Sequence, residues 1–126
     1  MKKNLALVTC ALALMACSRD EDYAGLSFDV QSSPPIPVSI ESDRIKLVAG
    51  IAVKVEVEPL SDGDSYSSQD LVALRADDSD IFDVYAAEST REFVLVGLRE
   101  GETCLSVRIN RHEEECIEVR VLPAEE

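Results

Sequence analysis

Val53, Val55 and Val57 alternate with Lys54, Glu56 and Glu58. A repeat of two residues suits one regular conformation, an extended strand with a buried face and a wet face. On a helix the same valines would be spread around the cylinder. The repeat returns along the chain. Ile45 and Leu47, Val72 and Leu74, Leu105 with Val107 and Ile109, and Ile117 with Val119 and Val121 each set aliphatic side chains on one face. Val38 and Ile40 read as the first half of a broken strand that Ile45 and Leu47 complete. Ile81, Phe82, Val84 and Tyr85 make a further strand, and Phe93–Leu98 is nearly continuous in apolar residues.

Breaks fall between these runs. Gly50 punctuates the first. Pro59, which cannot donate to a ladder, and the turn-forming Ser61-Asp62-Gly63-Asp64-Ser65 close the second. A strand over residues 71–76 follows, with a short helical turn over residues 68–73 as the alternative. Asp77-Asp78-Ser79-Asp80 forms a polar loop, and Gly97 and Gly101 bracket another turn. About seven short antiparallel strands with turns between them predict an all-β fold, a β-sandwich over residues 38–123 with 124–126 as a tail. Of the 126 residues, about 85 remain once the first 37 and the tail are set aside, enough for one small domain.

The last two runs predict a hairpin with its turn at residues 110–114. Inward Leu105, Val107 and Ile109 leave Cys104 pointing away from the core, and inward Ile117, Val119 and Val121 do the same for Cys116. The two thiols therefore stand on one outer face of neighbouring strands, where they can oppose each other. A bridge closing that loop stabilises by about 3 kcal/mol in the chain-entropy model.

The series Leu47-Val48-Ala49-Gly50, Val53 to Pro59, Leu74-Arg75-Ala76-Asp77-Asp78-Ser79 with Ile81 and Val84, Val96 to Gly101 with Thr103, Leu105 and Val107, and Ile117 to Val121 resembles the group-two bacterial immunoglobulin-like domains. That resemblance implies an immunoglobulin-like sandwich of a kind found in adhesins and surface lipoproteins. Leu74 stands where the family often carries tryptophan, and this sequence has none.

The chain begins with a different pattern. Lys2 and Lys3 precede an apolar run from Leu5 to Met15, about half the length a membrane-spanning helix needs. That is the form of a secretory signal peptide, assigned to residues 1–16. Leu14-Met15-Ala16-Cys17 resembles the lipobox of bacterial lipoproteins. The resemblance implies cleavage before Cys17, a diacylglyceryl group on its thiol and an acylated amino group. Two or more acyl chains hold a protein stably at a membrane where one holds it marginally. Cys10 would leave with the signal, so Cys104 and Cys116 remain as a pair in a compartment where disulfides persist.

Ser18 is not the aspartate that retains some lipoproteins at the inner membrane, so the outer membrane is expected. Ser18-Arg19-Asp20-Glu21-Asp22 resembles an acidic tag for export to the cell surface. Residues 17–37, acidic and then rich in serine and proline, read as a flexible tether. Leu26, Phe28 and Val30 alternate there and offer a short strand as the rival reading.

Twelve basic and twenty-five acidic residues become ten and twenty-five once residues 1–16 are removed, a formal charge of −15. Such a field repels nucleic acid and anionic lipid, so membrane contact is expected through the lipid on Cys17 alone.

Chemistry-bearing constellations are sparse. His112 is the one histidine, and in His112-Glu113-Glu114-Glu115-Cys116 the fifth position lacks the second histidine a zinc-protease helix requires. Asp62-Gly63-Asp64 and Asp77–Asp80 are oxygen-rich, but Ala73 stands where a twelve-residue calcium loop needs glutamate. If the ends of the sandwich bring these loops together, they could form one weak calcium site. Tyr66 alone among the tyrosines falls in a predicted loop, and Phe82 and Phe93 belong to the core. No catalytic residue, metal site or cofactor is assigned. The expected function is a non-enzymatic adhesion or interaction module with a protein partner. An accessory domain binding a soluble ligand or calcium is the alternative.

Overall fold

The computed structural model describes residues 21–32 and 38–124. Cys17, the signal segment and Ser33–Pro37 lie outside these residues. Among the described residues the chain forms nine strands and no helix: β1 (Tyr23–Val30), β2 (Ser39–Ile40), β3 (Arg44–Val48), β4 (Ala52–Ser61), β5 (Val72–Ala76), β6 (Phe82–Ala86), β7 (Glu92–Gly97), β8 (Gly101–Ile109) and β9 (His112–Leu122). They build two sheets, ordered β1-β4-β7-β6 and β2-β3-β9-β8-β5.

This is the sandwich the alternation predicts, with two more strands than expected. The break between Ile40 and Ile45 is a reversal, so β2 and β3 pair antiparallel as separate strands. The other addition is β1, the strand that the alternation of Leu26, Phe28 and Val30 offered as the rival reading; over Tyr23–Val30 it replaces the tether expected for residues 17–37. Leu26, Phe28 and Val30 lie opposite Pro59, Val57 and Val55 of β4, and Leu26 is fully buried. Their apolar faces give the segment more to gain from the sheet than from solvent. A second departure is that β3 and β9 pair parallel, Arg44 with Glu118 through Val48 with Leu122. A parallel pair needs a long connection, which the rest of the domain provides.

Inward residues of the two sheets interdigitate. Val53, Val55, Phe82 and Leu95 meet Ile45, Leu47, Leu105, Val107 and Val119, all fully buried. Phe93 is also in the core, whereas Tyr85 points outward and is 54% exposed. Gly97 lets two backbones approach: its N–H donates to Ile51 O at 3.0 Å and its carbonyl accepts from Gly50 at 2.8 Å.

The β8–β9 turn is tighter than expected. Ile109 opposes His112, leaving only Asn110 and Arg111, both with positive φ. That is the conformation a two-residue hairpin favours. Between Val107↔Glu115 and Arg108↔Glu113 the register skips Glu114, a bulge in β9.

Candidate functional site

One end of the sandwich gathers the start of β1, the β4–β5 loop over residues 62–71, the β6–β7 turn and the Asn110-Arg111 turn. Arg91 fixes this end. Its Nη2 donates to the carbonyls of Ser67 (2.7 Å) and Asp70 (3.0 Å), while its own carbonyl accepts from Val57. Asp70 accepts from Ser67 N through Oδ2 and from Asn110 Nδ2 through Oδ1. Asn110 completes the lattice, accepting from Leu71 N at its side-chain oxygen and donating its own N–H to the Leu71 carbonyl. The loop is thus held as a fixed rim.

Under that rim lies a cleft of about 350 Å³ lined by Ser27, Asp29, Glu56, Glu58, Tyr66, Ser67, Ser68 and Arg91. Asp29 pairs with Glu56, and Ser27 with Glu58, across β1 and β4. Three carboxylates beside hydroxyls and a phenol accept hydrogen bonds and attract cationic groups. The polar lining is made of carboxylates, hydroxyls, one phenol and the Arg91 guanidinium.

Tyr23 crosses the same end. It faces inward opposite Ser61, and its hydroxyl donates to Glu115, which the bulge leaves facing inward beside Val107. Burial is the main reason its pKa lies well above the ordinary tyrosine value, reinforced by the Glu115 hydrogen bond and the charges of Glu115 and Glu114. Tyr66 is also raised, by burial and then by Glu114.

The residues singled out in the sequence are dispersed. Asp62-Gly63-Asp64 follows β4 at this end, whereas Asp77–Asp80 joins β5 to β6 at the opposite end. The condition for a shared calcium site therefore fails, and no cluster of potential metal ligands occurs among the described residues. Asp78 instead caps its own turn, accepting from Asp80 N, and its N–H donates to Thr103. His112 is exposed at the start of β9, and the three glutamates after it lie on a strand.

Cys104 and Cys116 are joined by a disulfide, with Cα atoms 5.4 Å apart. They are diagonal across the ladder and not opposite as expected. Cys104 pairs with Glu118 and Cys116 with Ser106. Ser106 lies between Cys116 and Arg75 on this outer face and is nevertheless buried, at 7% exposure.

What sequence reading missed is Arg91 and the acidic floor beside it. The wet positions of β4 were legible, but nothing local showed that β1 would bring Asp29 to Glu56.

No protein-family model and no curated protein sequence matches this chain. Solved structures of the surface layer protein SbsC share its fold. Domains 1–6 of that protein align at a TM-score of 0.54 and 16% identity, covering 76% of this chain and 14% of that one. Domains 5–6 align at 0.52 and 18%, covering 71% and 45%. The chain thus spans less than half the length of either structure. At these identities the likeness concerns the fold, a two-sheet sandwich that also occurs within a surface layer protein.

Proposed function

We propose that this chain is a lipid-anchored protein of the cell envelope, held at the outer membrane through Cys17. Its single immunoglobulin-like sandwich, of the group-two bacterial type, works as a non-enzymatic adhesion or protein-interaction module exposed at the cell surface. The observation that carries the reading is Leu14-Met15-Ala16-Cys17, placed just ahead of the strand that opens the domain. The sandwich fold, shared with domains of a surface layer protein, supports a binding role. So does a cleft whose lining side chains can hold hydrogen bonds and charge. Because a fold names no ligand, the partner must be recognised by loops and faces.

The test is Cys17→Ser in the producing cell. Labelled palmitate should enter the parent protein but not the variant, and the variant should leave the membrane fraction. Unchanged membrane association of the variant removes the anchor. A pull-down from surface-labelled cells should retain a protein partner on the parent domain, and loss of that partner on Asp29, Glu56 and Glu58 substitution places it at the cleft.

A further inference from the structure

The two outer faces of the sandwich carry opposite charge. Among the described residues the strands of the four-stranded sheet turn Asp29, Glu56, Glu58, Asp83 and Glu92 outward with Lys54, and Arg91 lines the cleft on the same face. On the five-stranded sheet the register places Arg44, Lys46, Arg75, Arg108 and Arg120 outward with Glu102, Glu113 and Glu118, all exposed. Arg120 Nε lies 3.5 Å from Glu102. Arg44, Lys46, Arg75 and Arg108 have no carboxylate within 4 Å among the described residues. A strongly acidic chain has therefore gathered cations on one flat face.

The distance from the anchor is short. Asp22 is fixed to the domain: its N–H donates to Ser61 Oγ at 2.9 Å and its carbonyl accepts from Asp62 at 2.8 Å. Five peptide steps separate Cys17 from Asp22, at most about 18 Å. Asp22 precedes β1 in the four-stranded sheet, and packed sheets lie about 10 Å apart. With the five-stranded face down, the upper sheet is still within reach of a lipid on Cys17.

Which charge the membrane senses depends on screening. At physiological salt the field of anionic headgroups decays over about 8 Å, less than the thickness of the sandwich. The face in contact decides the sign of the interaction, and the acidic face on the far side contributes little.

We propose that the five-stranded face, through Arg44, Lys46, Arg75, Arg108 and Arg120, docks on the anionic headgroups of the membrane that holds Cys17. The domain then lies flat and turns its acidic cleft and Tyr85 outward. This rests on the lipid-anchored reading and departs from the expectation that acyl chains make the whole of the membrane contact.

The experiment uses the lipidated full chain, reconstituted into vesicles of phosphatidylcholine alone or with added phosphatidylglycerol, each containing a gadolinium-chelating lipid. Amide relaxation in β3, β8 and β9 should rise several-fold over that in β4, β6 and β7 on the anionic vesicles. High salt, or the combined K46E, R75E and R108E substitutions at exposed positions, should abolish the difference while the amide spectrum stays dispersed. Flotation with vesicles reports the anchor separately. Flotation without a difference between faces, or with the four-stranded face more relaxed, overturns the docking and leaves the anchor standing; failure to float overturns both.

Discussion

Tyr23, at the start of the first strand, donates its phenolic hydrogen bond to Glu115 in the last, closing the end of the core between the two sheets. The contact ties β1, an edge strand, to the sheet it does not belong to. Removing the hydroxyl in Tyr23→Phe leaves the glutamate facing inward without that donor. The expected loss is about 1 kcal/mol at neutral pH, less than a fully buried charged acceptor would give because the site is half-exposed.

The pH dependence has a definite sign. Tyr23 is raised above the ordinary tyrosine value, chiefly by burial and then by Glu115, so the unfolded chain gives up the phenolic proton first. Its contribution is complete below about pH 10 and falls as pH rises further. Denaturant titrations across that range should show Tyr23→Phe with a shallower decline than the parent. Tyr66 and Tyr85, present in both proteins and raised in the same direction, contribute to the residual slope. Parallel declines would show that the Tyr23 phenol does not link the strands.

Much of the fold was legible because a period of two survives any topology. Val53, Val55 and Val57 had to face a core, whichever strands flanked them. What alternation does not encode is which strand lies beside which. The parallel pairing of β3 with β9 and the arrival of β1 at β4 depend on long-range packing, so Tyr23 meeting Glu115 and Asp29 meeting Glu56 had no local signal. The disulfide pair was legible from its outward phase, but its diagonal offset reflects the ladder register, which only the folded hairpin fixes.

Arg111 occupies the second position of the β8–β9 turn with φ of 76°. A side chain with a Cβ resists that conformation by about 1 kcal/mol, and glycine adopts it readily. Arg111→Gly should raise the midpoint of thermal unfolding by a few degrees, net of the entropy glycine adds to the unfolded chain. No gain, or a loss, would show that the Arg111 side chain makes up for its backbone strain.

Cys104 and Cys116 close a loop of sequence separation 12 on the outer face of the hairpin. Replacing both by serine should cost about 3 kcal/mol, most of it by loosening the unfolded chain. Intact mass with and without reductant should differ by two hydrogens in the parent and not at all in the double variant. A double variant as stable as the parent would mean that the neighbouring strands already hold this loop closed in the unfolded ensemble.

Gly97 offers the strictest test of packing between β7 and the β3–β4 turn. A Cβ built there would stand 2.7 Å from the Val48 carbonyl oxygen and 3.2 Å from its carbon. Those atoms belong to backbone, so relief requires one strand to move. Movement is resisted on both sides, because Gly97 exchanges hydrogen bonds with Ile51 and Gly50, and Ile51 N donates to Val48 O. Gly97→Ala should therefore cost about 1–3 kcal/mol, the range for overpacking a filled interior. Native-state hydrogen exchange should locate the loss, with faster exchange at Gly50, Ile51 and residue 97 than at the distant Asn110 amide. Uniform acceleration would point to global destabilisation alone. A stabilised variant would show that the turn yields where the hydrogen bonds indicate it cannot.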